Sequence, residues 1–149
     1  MKQNIIGNDF IFENVVAEIF EYCGYQVKKE QTINDRRIDL VAEFNNYKYF
    51  IEVKYLRIKM SDTGKRMHLI NTINQSAKID EKWICVVSNI VSSGFKNEVR
   101  EQFNIEILDL RNLLYMIKDN LELYNKLLSI IEFSTNGIIV EKPNIYLKE

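Results

Sequence analysis

An α/β domain built on a mixed sheet is the fold class this sequence predicts, and three observations predict it. Two adjacent runs with strand character, 37–44 and 47–56, meet at Asn45-Asn46 and mark an antiparallel hairpin. The continuous apolar run Trp83-Ile84-Cys85-Val86-Val87 has the length and composition of a buried strand. Segments with helical spacing precede the hairpin and separate the later strands, so those strands are reached through helical crossovers.

Each element has its own signal. Apolar residues at 12, 15, 16, 19, 20 and 23 predict an amphipathic helix from Asn8 to Cys23. Asn8 or Asp9 is suited to cap its start, and Gly24 sits where a helix ends. Tyr25 to Lys29 reads as a short strand. The hairpin strands run from Arg37 to Phe44 and from Tyr47 to Leu56, and the paired asparagines between them tolerate the positive φ of a tight turn. Thr63 to Lys78 is weakly helical. Trp83 to Val87 reads as a buried central strand, Gly94 to Phe103 as a helix and Ile105 to Leu108 as a short strand. From Asp109 to Phe133 apolar residues recur at helical spacing, with Asp119-Asn120 as a break into two helices. Pro143 stops any regular element in the tail. The resulting order is αβββαβαβα.

Composition bounds the rest. A chain of 149 residues fits one domain, and 46% apolar with 28% charged residues excludes a disordered tail, a collagen-like fibre or a disulfide scaffold. Twenty Lys and Arg against twenty-one Asp and Glu argue against coating nucleic acid by bulk charge. Cys23 and Cys85 have no Cys or His at metal-ligand spacing and read as reduced thiols. No apolar run approaches the ~20 residues of a membrane span. The N-terminus, Met1-Lys2-Gln3-Asn4, lacks a signal-peptide core. The expectation is a soluble cytoplasmic protein without a membrane partner or a small-molecule cofactor.

The hairpin carries the chemistry. With Phe44 paired to Tyr47, Asp39 falls directly opposite Glu52, and Glu52 shares a strand face with Lys54 about 6.6 Å away. Like charges opposite one another destabilise a sheet. Two carboxylates converging inside an apolar hairpin therefore fit a divalent-cation site of hard oxygen ligands for Mg²⁺, Mn²⁺ or Ca²⁺. The alternative is a solvated face on which Lys54 screens both acids. On the first helix, Glu13 lies at the edge of the apolar stripe, whereas Glu18 and Glu21 face away, so Glu13 is the acid of that helix placed to reach the sheet.

The pattern Phe12-Glu13, Gly24-Tyr25, Ile38-Asp39-Leu40 and Ile51-Glu52-Val53-Lys54-Tyr55 resembles the PD-(D/E)XK nuclease superfamily. Within it the chain is similar to Mrr-type restriction endonuclease domains and to archaeal Holliday-junction resolvases. The resemblance covers about Phe10 to Leu114. It implies a restriction-endonuclease-like αβββαβ core over about 8–110, with a C-terminal helical extension over about 110–134, in a single nuclease-like domain spanning 1–149. It implies that Asp39 and Glu52 bind a catalytic Mg²⁺, for which Mn²⁺ substitutes, with the Val53 carbonyl as a further ligand. Lys54 would position or activate the attacking water, and Glu13 would match the helix-1 glutamate near the metal. Gln75 would match a polar residue that some relatives carry on the following helix. The sequence departs from the pattern before Asp39: no Pro precedes it, and Arg37 stands where Mrr-like domains often have Gly.

Charge is unevenly distributed along the chain. From Lys28 to Arg66, ten Lys and Arg meet six Asp and Glu, a balance of +4, against −5 for the remainder. Arg36, Arg37, Arg57, Lys59, Lys65 and Arg66 are the candidate contacts to nucleic-acid phosphates, which supply affinity but no sequence reading. His68, the sole histidine, reads as incidental. Tyr49 and Tyr55 share the face opposite Glu52, which assigns them to core packing, and the Leu110–Ile131 stripe is a core or dimer face. The expected activity is a metal-dependent DNA endonuclease of restriction, defence or repair, acting as a homodimer. The competing readings are a branched-DNA resolvase and a non-catalytic nucleic-acid-binding subunit on a nuclease-like scaffold.

Overall fold

The computed structural model describes residues 7–33, 35–56, 69 and 82–147. Among them five strands form one mixed sheet: β1 (Gln26–Ile33), β2 (Arg36–Phe44), β3 (Tyr47–Lys54), β4 (Trp83–Val87) and β5 (Ile105–Leu108), hydrogen-bonded in that order. The pairs β1–β2 and β2–β3 are antiparallel, and β3–β4 and β4–β5 are parallel. This is the predicted fold class, an α/β architecture with a restriction-endonuclease-like core.

Alternation along the strands divides the interior into two layers. On one face, Leu40, Ala42, Tyr49, Ile51, Ile84 and Val86 pack against α1 (Asn8–Tyr22), α3 (Leu110–Met116) and α4 (Leu121–Leu128). On the other, Val41, Phe50, Trp83, Cys85 and Val87 meet Leu69 and the Phe95 and Val99 side chains of α2 (Ser93–Phe103). All five β4 residues are buried because both faces are covered. β4 lies between β3 and β5, so the middle strand of the sheet is β3 rather than the predicted Trp83–Val87 strand.

Several boundaries move for identifiable reasons. α1 starts one residue earlier than a side-chain cap requires: Gly7 is the N-cap and makes no side-chain cap bond, so Asn8 and Asp9 both lie inside the first turn. Gly24 ends the helix at φ 99°, and a Cβ there would come within 3.1 Å of the Phe44 ring. β1 extends to Ile33, beyond the predicted Lys29, because β2 resumes pairing with it at Gln31–Ile38 and continues to Ile33–Arg36. The hairpin turn places Asn45 at φ 52°. The segment predicted as one broken helix is interrupted at 117–120 and ends at Leu128 rather than Phe133. Asp109 caps α3 through a reciprocal capping box with Asn112, and Asn120 caps α4. Of the apolar stripe predicted over 110–131, Leu110, Leu113, Leu114, Ile117 and Leu127 are buried in the chain's own core, whereas Leu121 is 72% exposed. The weak helix at 63–78 lies outside the described residues except for Leu69, which is helical and fully buried. No described helix is long and apolar enough to cross a membrane.

Candidate active site

The hairpin register is the one the turn predicts. β2 and β3 pair from Phe44–Tyr47 to Leu40–Ile51, and the ladder stops there, one pair short of Asp39 and Glu52. Beyond that point the Asp39 side chain takes over from backbone pairing: Val53 N–H donates to Asp39 Oδ2 at 2.9 Å. On the other side of β2, the β1–β2 ladder passes from Lys29–Leu40 to Gln31–Ile38 and skips Glu30 and Asp39, with Glu30 in the left-handed region at φ 52°. Ile38 packs in the α2 layer and Leu40 in the α1 layer. Residues two apart on a regular strand share a face. The strand is therefore irregular at Asp39, and this irregularity brings the carboxylate towards α1 and the end of β3.

The result is a cleft of about 410 Å³ at the carboxyl end of β3, lined by Asp9, Glu13, Arg37, Asp39, Glu52, Val53, Lys54, Tyr55 and Leu56. Glu13, Asp39, Glu52 and Lys54, four positions separated by up to 41 residues, share it. Parallel α/β sheets characteristically bind ligands beyond the carboxyl ends of their strands.

Electrostatics set the carboxylates apart from ordinary surface acids. Burial, the neighbouring Asp39 charge and a hydrogen bond with Asp39 push Glu52 up to about 8, against the opposing pull of Arg36 and Lys54. Burial and then Asp39 also raise Glu13, with Arg37 opposing. The Glu13 Oε1 atom is buried without a hydrogen-bond partner among the described residues. A folded chain that buries acids this way is poised to accept positive charge, since an unpartnered buried carboxylate oxygen is costly.

A divalent cation fits this donor set. Among the described residues no three His, Cys, Asp or Glu side chains are gathered closely enough to hold a metal by themselves. Mg²⁺ is commonly held by only one or two carboxylates and retains several waters. Asp39 and Glu52 supply two carboxylates of hard oxygen, and the raised Glu52 proton affinity marks a place where positive charge is favoured. Glu13 is beside them without completing a three-acid cluster.

The remaining candidates fall in different settings. Arg37 lines the cleft and pairs with Glu30 at 2.7 Å, with both side chains more than half exposed. Arg36 is turned inward: its Nη2 donates to Glu52 Oε1 at 3.1 Å, and its guanidinium lies 4.5 Å from the Trp83 ring centroid. Arg57, Lys59, Lys65, Arg66, His68 and Gln75 lie outside the described residues. Tyr49 is buried in the core, and the Tyr55 hydroxyl donates to the Ile130 carbonyl at 2.6 Å. Tyr47 stacks on Tyr146 with centroids 4.2 Å apart. Cys23 and Cys85 are free thiols pushed up to about 11 and about 12 by burial, with the Glu52 charge adding to the Cys85 displacement. Sequence reasoning missed the Arg36–Trp83 stack and the Val53–Asp39 bond, and neither has a signal in residue order.

A sequence profile of the PD-(D/E)XK nuclease superfamily matches residues 9–94. The chain belongs to the PD-(D/E)XK nuclease superfamily. The matched span contains α1 from Asp9 onward, the hairpin and β4, and so every residue that lines the cleft. No curated protein sequence matches this chain. Among solved structures it is similar to AF1548, a protein of unknown function, at 19% identity and TM-score 0.51 over 66% of this chain and 58% of that one. It also matches protein VC1899 from Vibrio cholerae at 11% identity and TM-score 0.45, over 81% of this chain and 34% of that chain. Pyrococcus furiosus SfsA in complex with Ca²⁺ matches at 18% identity and TM-score 0.30, over 84% and 52%. This PD-(D/E)XK chain thus spans only about a third to three fifths of the length of those neighbours, and the AF1548 likeness concerns the fold alone.

Proposed function

We propose that this PD-(D/E)XK chain is a divalent-cation-dependent DNA endonuclease that hydrolyses phosphodiester bonds. The observation that carries the reading is the convergence of Asp39, Glu52 and Lys54, with Glu13 beside them, in one cleft at the end of β3. Asp39 and Glu52 would hold Mg²⁺, or Mn²⁺ in its place, with the Val53 carbonyl as a third oxygen. When bound there, the cation supplies an activated water and neutralises charge growing on the phosphate. The Val53 amide orients Asp39 through its 2.9 Å bond and keeps the carboxylate from turning away. Exposed Lys54 reaches the mouth of the cleft, where its ammonium holds the attacking water or a phosphate oxygen. Arg37 adds positive charge at the same mouth and steers the substrate backbone.

A single cleft cuts one strand, so two copies acting together account for cleavage of a duplex. Restriction, defence and repair all use such an activity, and the likeness to Mrr-type domains and junction resolvases sets the substrates to compare. The test is incubation with linear, supercoiled, methylated and four-way-junction DNA, each with Mg²⁺ or EDTA. Cleavage with Mg²⁺ alone, lost at least about a hundredfold in Asp39→Ala, Glu52→Ala and Lys54→Ala, is the expected result. Preference for the junction would make the enzyme a resolvase. Binding of DNA without any cleavage would instead assign a non-catalytic subunit, and full activity in Glu52→Ala would overturn the site.

A further inference from the structure

Arg36 begins β2, Glu52 lies near the end of β3 and Trp83 begins β4, so the three residues span three adjacent strands. The Arg36 guanidinium lies over the fully buried Trp83 indole, and Trp83 is itself braced edge-on by Phe50 with centroids 5.3 Å apart. From this seat Arg36 Nη2 reaches Glu52 Oε1 at 3.1 Å, with side-chain exposures of 20% and 13%. A planar guanidinium stacked on an aromatic ring has one approach direction, which an ammonium on a flexible stem lacks.

We propose that Arg36 is a positioning residue of the cation site: held on Trp83, it fixes one oxygen of Glu52 so that the other is presented beside Asp39. The proposal rests on the reading of Asp39 and Glu52 as cation ligands. Carboxylates that bind metals are themselves hydrogen-bonded by neighbours, and removing such a neighbour typically weakens metal binding about 10–100-fold. Charge alone predicts the opposite sign. A guanidinium next to a ligand repels a cation, so removing it would tighten binding unless its orienting role outweighs the repulsion. The direction of the change therefore separates the two.

The experiment is calorimetric titration of the metal-free chain with Mg²⁺ and with Mn²⁺ at constant ionic strength, using wild type, Arg36→Met and Arg36→Lys. Emission of Trp83, the sole tryptophan, provides a second readout independent of any cleavage assay. The expected result is binding weakened at least about tenfold in Arg36→Met. Arg36→Lys should stay weaker than wild type, because a lysine keeps the charge but loses the stacked fork. Unchanged or tighter binding in Arg36→Met overturns the proposal and leaves the cation site standing. Lost DNA affinity in EDTA with cation affinity intact would assign Arg36 to the phosphates and also overturn it. If Arg36→Met fails to fold by circular dichroism, Arg36→Lys decides, and wild-type affinity there refutes the positioning role. Absence of cation binding in the wild type would overturn both this proposal and the reading beneath it.

Discussion

Replacing Glu52 with Gln should stabilise the metal-free chain at alkaline pH while destroying its cation site. Glu52 is 13% exposed, faces Asp39 and is raised from 4.5 to about 8. A carboxyl whose folded value exceeds its unfolded one favours the folded state fully below about pH 4.5, and that contribution is lost as pH rises through about 8. Each pH unit of displacement is worth about 1.4 kcal/mol at most. Allowing for relaxation and water in the cleft, the swing from pH 5 to pH 9 is on the order of 3 kcal/mol. For a chain of this size that is a fall in Tm of roughly 10 °C. Gln keeps the shape and an acceptor for Arg36 but carries no charge, so Glu52→Gln should lack this part of the fall. The assay is thermal melting in EDTA at half-unit steps from pH 5 to 9, read as the difference between the two proteins so that other titrating groups cancel. Saturating Mg²⁺ should restore wild-type stability at pH 9 and leave Glu52→Gln unmoved. Parallel profiles in EDTA would refute the assignment of a buried, charge-opposed carboxyl to Glu52.

The same competition between proton and cation means that Mg²⁺ affinity should rise with pH up to about 8 and level off beyond it, by up to about tenfold per unit, as measured by calorimetry. Beyond the end of β5, two strands over from β3, buried Asp109 accepts from the Val91 and Asn112 amides and pairs with Lys96 and Arg111. Asp109→Ala should cost about 3 kcal/mol or more in urea unfolding, because it removes the fully buried partner of the Lys96 ammonium; a cost below about 1 kcal/mol would show that the Glu141 and Asn112 contacts Lys96 already makes are enough to hold its charge. Gly24→Ala should destabilise by roughly 1 kcal/mol through positive φ and the approach to Phe44, and an unchanged Tm would mean the turn relaxes.

Local physics made much of this protein legible in its order of residues. The helical spacing of 12, 15, 16, 19 and 20 required an apolar face, and all five of those residues are buried through it. The Asn45 turn set a hairpin register that every observed β2–β3 pair obeys, because a shift by one residue would reverse all the side chains. Trp83 to Val87, apolar on both faces, had to be an interior strand. The three charged residues at 39, 52 and 54 stood out because their register is short-range and their charges conflict with a purely structural hairpin. Strand lengths were less legible, since the extent of β1 depends on its neighbour rather than on its own composition.

Tertiary structure decided what depends on residues distant in the chain. The irregularity at Asp39 arises from three strands meeting with a left-handed Glu30, and it replaces a simple cross-strand acid pair with a carboxylate anchored on the Val53 amide. Arg36 counted as a basic surface residue by charge. Its seat on Trp83, 47 positions away, exists only because β2, β3 and β4 lie side by side. Periodicity reports which face a side chain takes within one element. The strength of a carboxyl's hold on its proton, and hence its affinity for a cation, is set by burial and by charges brought close from elsewhere in the sheet, and those are properties of the packed chain.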